Sequence, residues 1–200
     1  NRPLHLVGLL SDGGVHSHIN HLIALLQLCQ QHGVISAVHA ITDGRDTAPK
    51  AALGFIQRLE AELVKTGGVL STVTGRFYAM DRDKRWERVK IAWDGMVLGE
   101  GVPVSSGTAA IEHAYAADET DEFIKPRIIA GAKLIQGQDP VLFFNFRNDR
   151  PRETAEALAS VEFRHFDRGQ FKPVQLTTMT LYDNQLPATV MYQPDRASTN

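Results

Sequence analysis

HLVGLLSDGGVHSHINHLIALLQLCQQHGVISAVHAITDGRD, residues 5–46, decides the fold. His5 to Leu10 is a short apolar run that stops at the turn signal Asp12-Gly13-Gly14, as a strand entering a loop does. From Ser17, a capping residue type, the apolar Ile19, Leu22, Ile23 and Leu26 recur at helical spacing, and Gly33 follows their end. A second strand, Ile35 to Ile41, then reaches the polar turn Thr42-Asp43-Gly44-Arg45-Asp46. Strand, helix and strand in this order form a parallel pair with a helical crossover.

The alternation continues along the chain. Thr47 and Pro49 open a helix carrying Leu53, Ile56, Leu59 and Leu63, closed by Gly67-Gly68, and Val69 to Thr74 reads as the next strand. Asp83 is a cap for a helix whose apolar face is Trp86, Val89, Trp93 and Met96. A helix follows over Thr108 to Ala117, then strands near Ile128 and over Val141 to Phe146. A helix starts at Pro151 and ends near Val161, and Val174 to Leu181 is the last strand. The expected architecture is one layered α/β/α domain with a parallel or mixed sheet over residues 1–200.

The formal net charge of -2 leaves no field of one sign to attract nucleic acid or an anionic membrane. Any anion site must be local. Arginine outnumbers lysine 14 to 7, which favours bidentate gripping of carboxylate or phosphate over point-charge attraction. The single cysteine, Cys29, has no internal disulfide partner, lies on a helix and reads as packing in a reducing cytoplasm. The longest apolar runs, such as Val141 to Phe144, are too short to cross a bilayer, so a soluble cytoplasmic protein is expected. A start at Asn1 without methionine, and a stop at Asn200 after Gln193-Pro194-Asp195-Arg196, suggest a piece of something longer.

The unusual polar residues His16, Arg45, Asp46, Arg76, Arg82, Arg147 and Arg150 fall just after strands. In open α/β sheets those loops form the ligand-binding edge. Ser11-Asp12-Gly13-Gly14-Val15-His16-Ser17-His18, with His21 beyond, carries two open readings. Asp12, His16, His18 and His21 are competent metal ligands at a spacing that completes no recognised zinc pattern. Alternatively His16, held by the glycine turn, donates a hydrogen bond to a phosphoryl oxygen. In Asp43-Gly44-Arg45-Asp46-Thr47 the turn sets the geometry while Arg45 keeps the Asp46 carboxylate ionised, an acid/base arrangement beside a bound hydroxyl. In the run from Gly75 to Arg88 the charges read as a helix surface with pairs such as Asp81 and Arg85, except Arg76, which ends a strand among small and aromatic residues. In Phe143 to Arg152 an apolar strand breaks into three arginines. Their mutual repulsion calls for Asp149 or a ligand to offset it.

Together the stretches Leu10 to His18, Asp43 to Thr47, Ala79 to Arg88, Phe144 to Arg147 and Asp149-Arg150 resemble the cofactor-independent phosphoglycerate mutase family, in its transferase domain. The resemblance spans nearly the whole chain. It implies that His16, Arg45, Asp46, Arg76, Arg82, Arg147 and Arg150 contact 3-phosphoglycerate and 2-phosphoglycerate, with Asp46 as the acid/base group, His16 on the phosphoryl group and no metal ligand in this chain. It implies an isomerase of glycolysis and gluconeogenesis. Its partner, a phosphatase-like domain of the same enzyme, is absent here and carries a serine nucleophile and two manganese ions. The isolated chain is then expected to be inactive. Asn148 replaces a proline common in the family, Pro151 a small residue, and Tyr192-Gln193-Pro194 a more usual Phe-Pro-Pro that leads back to the partner, which bears on the loop path and the hinge. Two alternatives stand beside this: a non-catalytic sensor of a phosphorylated metabolite, and a metallohydrolase on Asp12, His16, His18 and His21.

Overall fold

The structure is a computed structural model that describes residues 2–193. The stretch from Pro194 to Arg196, and with it the end of the expected hinge, lies outside the described residues. Eight strands form one sheet in the order β4-β5-β3-β2-β1-β6-β7-β8. They are β1 (Leu4–Leu10), β2 (Ser36–Thr42), β3 (Val69–Gly75), β4 (Val102–Val104), β5 (Arg127–Ile129), β6 (Pro140–Phe143), β7 (Gln175–Thr180) and β8 (Ala188–Tyr192). Neighbours are parallel except β3 and β5, so the sheet is mixed.

The helices are α1 (Ile19–Gln31), α2 (Ala52–Thr66), the single turn α3 (Arg76–Ala79), α4 (Trp86–Val97), α5 (Gly107–Ala116) and α6 (Arg152–Ala159). Strand alternation sorts the core into two faces. Leu6 and Leu10 of β1 pack with Ile19, Leu22 and Leu26 of α1 and with Ile56 and Leu59 of α2. Val7 and Leu9 pack in a second cluster with Val89, Trp93 and Met96 of α4 and Leu158 of α6. Helices thus cover both faces, the three-layer arrangement expected. Cys29 is buried, and burial pushes its thiol pKa up, consistent with a packing role.

Several boundaries differ, each for a local reason. His18, not Ser17, caps α1: its side chain accepts from Asn20 N–H. The second helix begins at Ala52 rather than at Thr47 and Pro49. Its first amides, Ala51 N and Ala52 N, are held at 2.7 and 2.8 Å by Asp121 Oδ2, a cap supplied from another part of the chain. Asp81, not Asp83, holds the approach to α4, accepting from the backbone amides of Asp83 and Arg85 at 2.9 Å each. β7 is not the last strand. Residues 181–187 carry the chain back along it to parallel β8 without a helix. β4 and α3 were not expected at all.

The topology decides where ligands meet. The chain winds from β1 to β2 and β3 on one side, then to β6 and β7 on the other, so connections part in opposite directions between β1 and β6. The loops leaving the carboxyl ends of β1, β2, β3 and β6 therefore border one crevice.

Candidate anion-binding site

Each of those four loops brings one part. His16 comes from the loop after β1. Phe146 N and Arg147 N, in the loop after β6, donate to His16 O at 2.8 and 3.3 Å and lock the two loops together. Asn145, fully buried, braces the same junction: its Oδ1 accepts from Leu9 N at 2.9 Å and its carbonyl from Tyr182 OH at 2.6 Å. Asn148 Nδ2 reaches Leu181 O at 3.2 Å, and Pro151 stands directly before α6.

Arg76 is the centre. It is buried at the start of α3, and its Nη1 donates at 2.6 Å to both Asp43 Oδ1 and Asp46 Oδ2. Burial opposes its charge, but the bonds to Asp46 and Asp43 outweigh that and raise its pKa. The cation beside Asp46 is therefore Arg76, not Arg45 as the adjacent sequence suggested. Arg45 is more than half exposed and leans toward Glu122 at 3.6 Å.

Arg76 also fixes the state of His16. A guanidinium can only donate, so His16 Nε2, 3.1 Å from Arg76 Nη2, must accept. The ring proton then sits on Nδ1, which is buried and has no hydrogen-bond partner in the protein. Burial first, and the Arg76 charge next, lower the His16 pKa to about 4, so at neutral pH the ring is a neutral donor with one unused N–H.

Arg82 and Arg147 meet on Asp149. Its Oδ2 accepts from Arg82 Nη1 at 2.9 Å and Arg147 Nη2 at 3.0 Å, and its Oδ1 lies 2.9 Å from Arg147 Nε. Of the three clustered arginines Asp149 thus pairs with Arg147, while Arg152 lies 3.9 Å from Asp183. Arg150 donates to Met80 O at 3.1 Å. Its pKa is lowered, by burial first and then by the charges of Arg76, Arg82 and Arg45, which records how closely four guanidinium groups converge.

Arg45, Arg76, Arg82 and Arg150 line one concavity of about 230 Å3, with Asp81 and Glu122 on its wall. Arg147 does not line it but shares Asp149 with Arg82. A larger hollow of about 500 Å3, lined by Arg152, Glu156, Glu162 and Asp183, lacks convergent cations, so size is a poor guide here. The histidines take structural places: His18 Nδ1 caps α1, and His21, its ring 6.1 Å from that of His18, packs edge-on to Phe146. Among the described residues no group of three or more His, Cys, Asp or Glu is gathered to hold an ion.

A family model described as BPG-independent PGAM N-terminus matches residues 1–184. The chain belongs to the BPG-independent PGAM N-terminus family. The 2,3-bisphosphoglycerate-independent phosphoglycerate mutase of Lawsonia intracellularis is 49% identical over 196 residues, covering 96% of this chain and 38% of that protein. That of Akkermansia muciniphila is 48% identical over 197 residues, again 96% and 38%. A crystal structure of Leishmania mexicana phosphoglycerate mutase at low cobalt concentration matches with a TM-score of 0.87 and 34% identity, over 92% of this chain and 36% of that one. The chain spans under two fifths of the length of these relatives.

Within this BPG-independent PGAM N-terminus domain the sequence motifs hid four supporting residues. Asp43 lay in a quoted motif but read as turn chemistry. It is buried, and its Oδ1 takes Arg45 N at 3.2 Å and Asp46 N at 3.0 Å besides Arg76. Asp121 and Glu122, from a short 3-10 turn (Asp121–Phe123), gave no local signal. Thr42 Oγ1 donates to Asp121 O at 2.7 Å, and a β-carbon on Gly44 (φ 72°) would sit 2.8 Å from Asp121 Cβ, so the turn closes over the Asp43–Asp46 loop. Asn145, set among apolar residues, looked like a strand position.

Proposed function

We propose that this chain is the substrate-holding domain of a 2,3-bisphosphoglycerate-independent phosphoglycerate mutase, binding and reorienting glycerate while 3-phosphoglycerate and 2-phosphoglycerate interconvert in glycolysis and gluconeogenesis. The observation that carries this is the convergence of Arg45, Arg76, Arg82 and Arg150 on one small concavity beside Asp46 and His16. A phosphoglycerate bears roughly three negative charges at neutral pH, and arginine forks satisfy both its carboxylate and its phosphate.

Phosphoryl transfer depends on positioning and charge neutralisation more than on covalent work by the holder. Asp46, oriented by Arg76, exchanges a proton with the glycerate hydroxyl that loses or receives the phosphoryl group. His16 donates its free Nδ1–H to a phosphoryl oxygen. Arg82, Arg147 and Arg150 hold the acid groups while the glycerate turns. The phosphoserine chemistry, and the two manganese ions expected with it, belong to the phosphatase-like partner domain. Among the described residues no three His, Cys, Asp or Glu are gathered to hold such an ion. Closure of the two domains keeps water from the phosphoenzyme. A cytoplasmic setting agrees with the free, buried Cys29, and no helix among the described residues is long and apolar enough to cross a membrane.

The test is Asp46→Asn in the full two-domain enzyme. Turnover is expected to fall by about 100-fold or more, with 3-phosphoglycerate affinity nearly kept. Unchanged turnover would point instead to a sensor of the same ligand. The chain by itself, supplied with manganese, is expected to bind without turning over.

A further inference from the structure

We infer that Asp149 is a built-in anion of the arginine site: its carboxylate occupies Arg82 and Arg147 and faces His16 in the free chain, and yields these groups to the incoming phosphate or carboxylate. It thereby sets affinity and release. This rests on the reading of the site as a phosphoglycerate holder.

Asp149 already makes the contacts an acidic ligand would make. Its Oδ2 accepts from Arg147 Nη2 at 3.0 Å and from Arg82 Nη1 at 2.9 Å, while its Oδ1 lies 2.9 Å from Arg147 Nε as an ion pair without hydrogen-bond alignment. The contact with His16 is left incomplete. Asp149 Oδ1 is 3.7 Å from His16 Nδ1, beyond hydrogen-bond length, and both atoms are buried without a hydrogen-bond partner. A proton donor and an acceptor facing each other unsatisfied carry a cost that a moved carboxylate and a bound ligand oxygen both relieve.

Exposure separates Asp149 from the other carboxylates. Asp43 is buried and fixed by two backbone amides, and Asp46 is tied to Arg76. Asp149 sits in the loop before α6 with 29% of its side chain exposed, so it can turn to solvent. It is charged at neutral pH: burial works to raise its pKa, but the bonds from Arg82 and Arg147 and the charge of Arg147 prevail and lower it. Without it, Arg82 and Arg147 would repel across the crevice in the free state, and with it each arriving anion must displace or share one already in place.

The experiment is calorimetric titration of the unaltered chain and of Asp149→Asn with 3-phosphoglycerate and, separately, with inorganic phosphate, at fixed ionic strength. Asp149→Asn is expected to bind both about tenfold tighter, the scale of one partly exposed charge. If the unaltered chain binds and a folded Asp149→Asn binds no tighter, the inference falls and the site assignment stands. If the unaltered chain binds neither, both fall. A readout independent of the variant's folding is the Asp149 carboxyl carbon followed by NMR during acid titration. With ligand present it should titrate at higher pH than without, and an unmoved curve overturns the inference. In the two-domain enzyme Asp149→Asn should lower KM and kcat together, as slowed release requires, whereas a raised KM would contradict it.

Discussion

Arg76 Nη1 lies 2.6 Å from Asp43 Oδ1, and both side chains are buried. The pair links the loop after β2 to the start of α3 and fixes the guanidinium that faces Asp46 and His16. Breaking a buried pair leaves an uncompensated charge, so Asp43→Ala should cost about 3–5 kcal/mol in urea unfolding. A loss below about 1 kcal/mol would mean that the pair holds nothing in place.

The Asp43–Asp46 loop also depends on what closes over it. Gly44→Ala meets both a left-handed φ of 72° and the Asp121 side chain and Glu122 amide at 2.8 Å. It should destabilise the chain by about 1–3 kcal/mol and weaken 3-phosphoglycerate binding at the same time. Asp121→Ala removes the α2 cap and the partner of Tyr115 OH, and should cost about 2 kcal/mol. Thermal melts with and without ligand check both. Weakened ligand binding in neither variant would disconnect the turn from the site.

How far the sequence disclosed this arrangement depends on the range of each contact. The strand–helix–strand opening was legible because Leu6, Leu10, Ile19, Leu22 and Leu26 repeat with the periods of their elements, and the crevice followed from where the strands end. Arg76 stood out because a cation that ends an apolar strand cannot stay buried unpaired. Its partners were not legible: chain adjacency pointed to Arg45 for Asp46, whereas tertiary contact supplied Arg76. The cap of α2 comes from Asp121, some seventy residues on. β8 was missed because a turn-rich segment, not a helix, precedes it, so no crossover pattern announced a strand.

Acid should loosen the fold before the carboxylates take up protons. His16 is depressed to about 4 from its ordinary 6.5. His5 and His39, buried 2.9 Å apart, are lowered chiefly by burial. The unfolded chain therefore takes up these protons at a higher pH than the fold does, and stability present above about 6.5 declines as pH falls toward 4. Asp43 and Asp149, both lowered below the ordinary 3.8, extend the loss to still lower pH. Urea midpoints between pH 7 and 4 should show the decline, and His16→Asn should flatten part of it. A slope unaltered by that substitution would contradict the neutral, buried state of His16.

The central claim is that loops after four strands build one site for phosphoglycerate. A crystal structure of the chain with 3-phosphoglycerate tests it most directly. The acid groups of the ligand are expected within hydrogen-bond reach of Arg82, Arg150 and His16 Nδ1, with a glycerate hydroxyl facing Asp46. Ligand seated instead in the hollow between Arg152 and Asp183, or held by none of these arginines, would contradict the account.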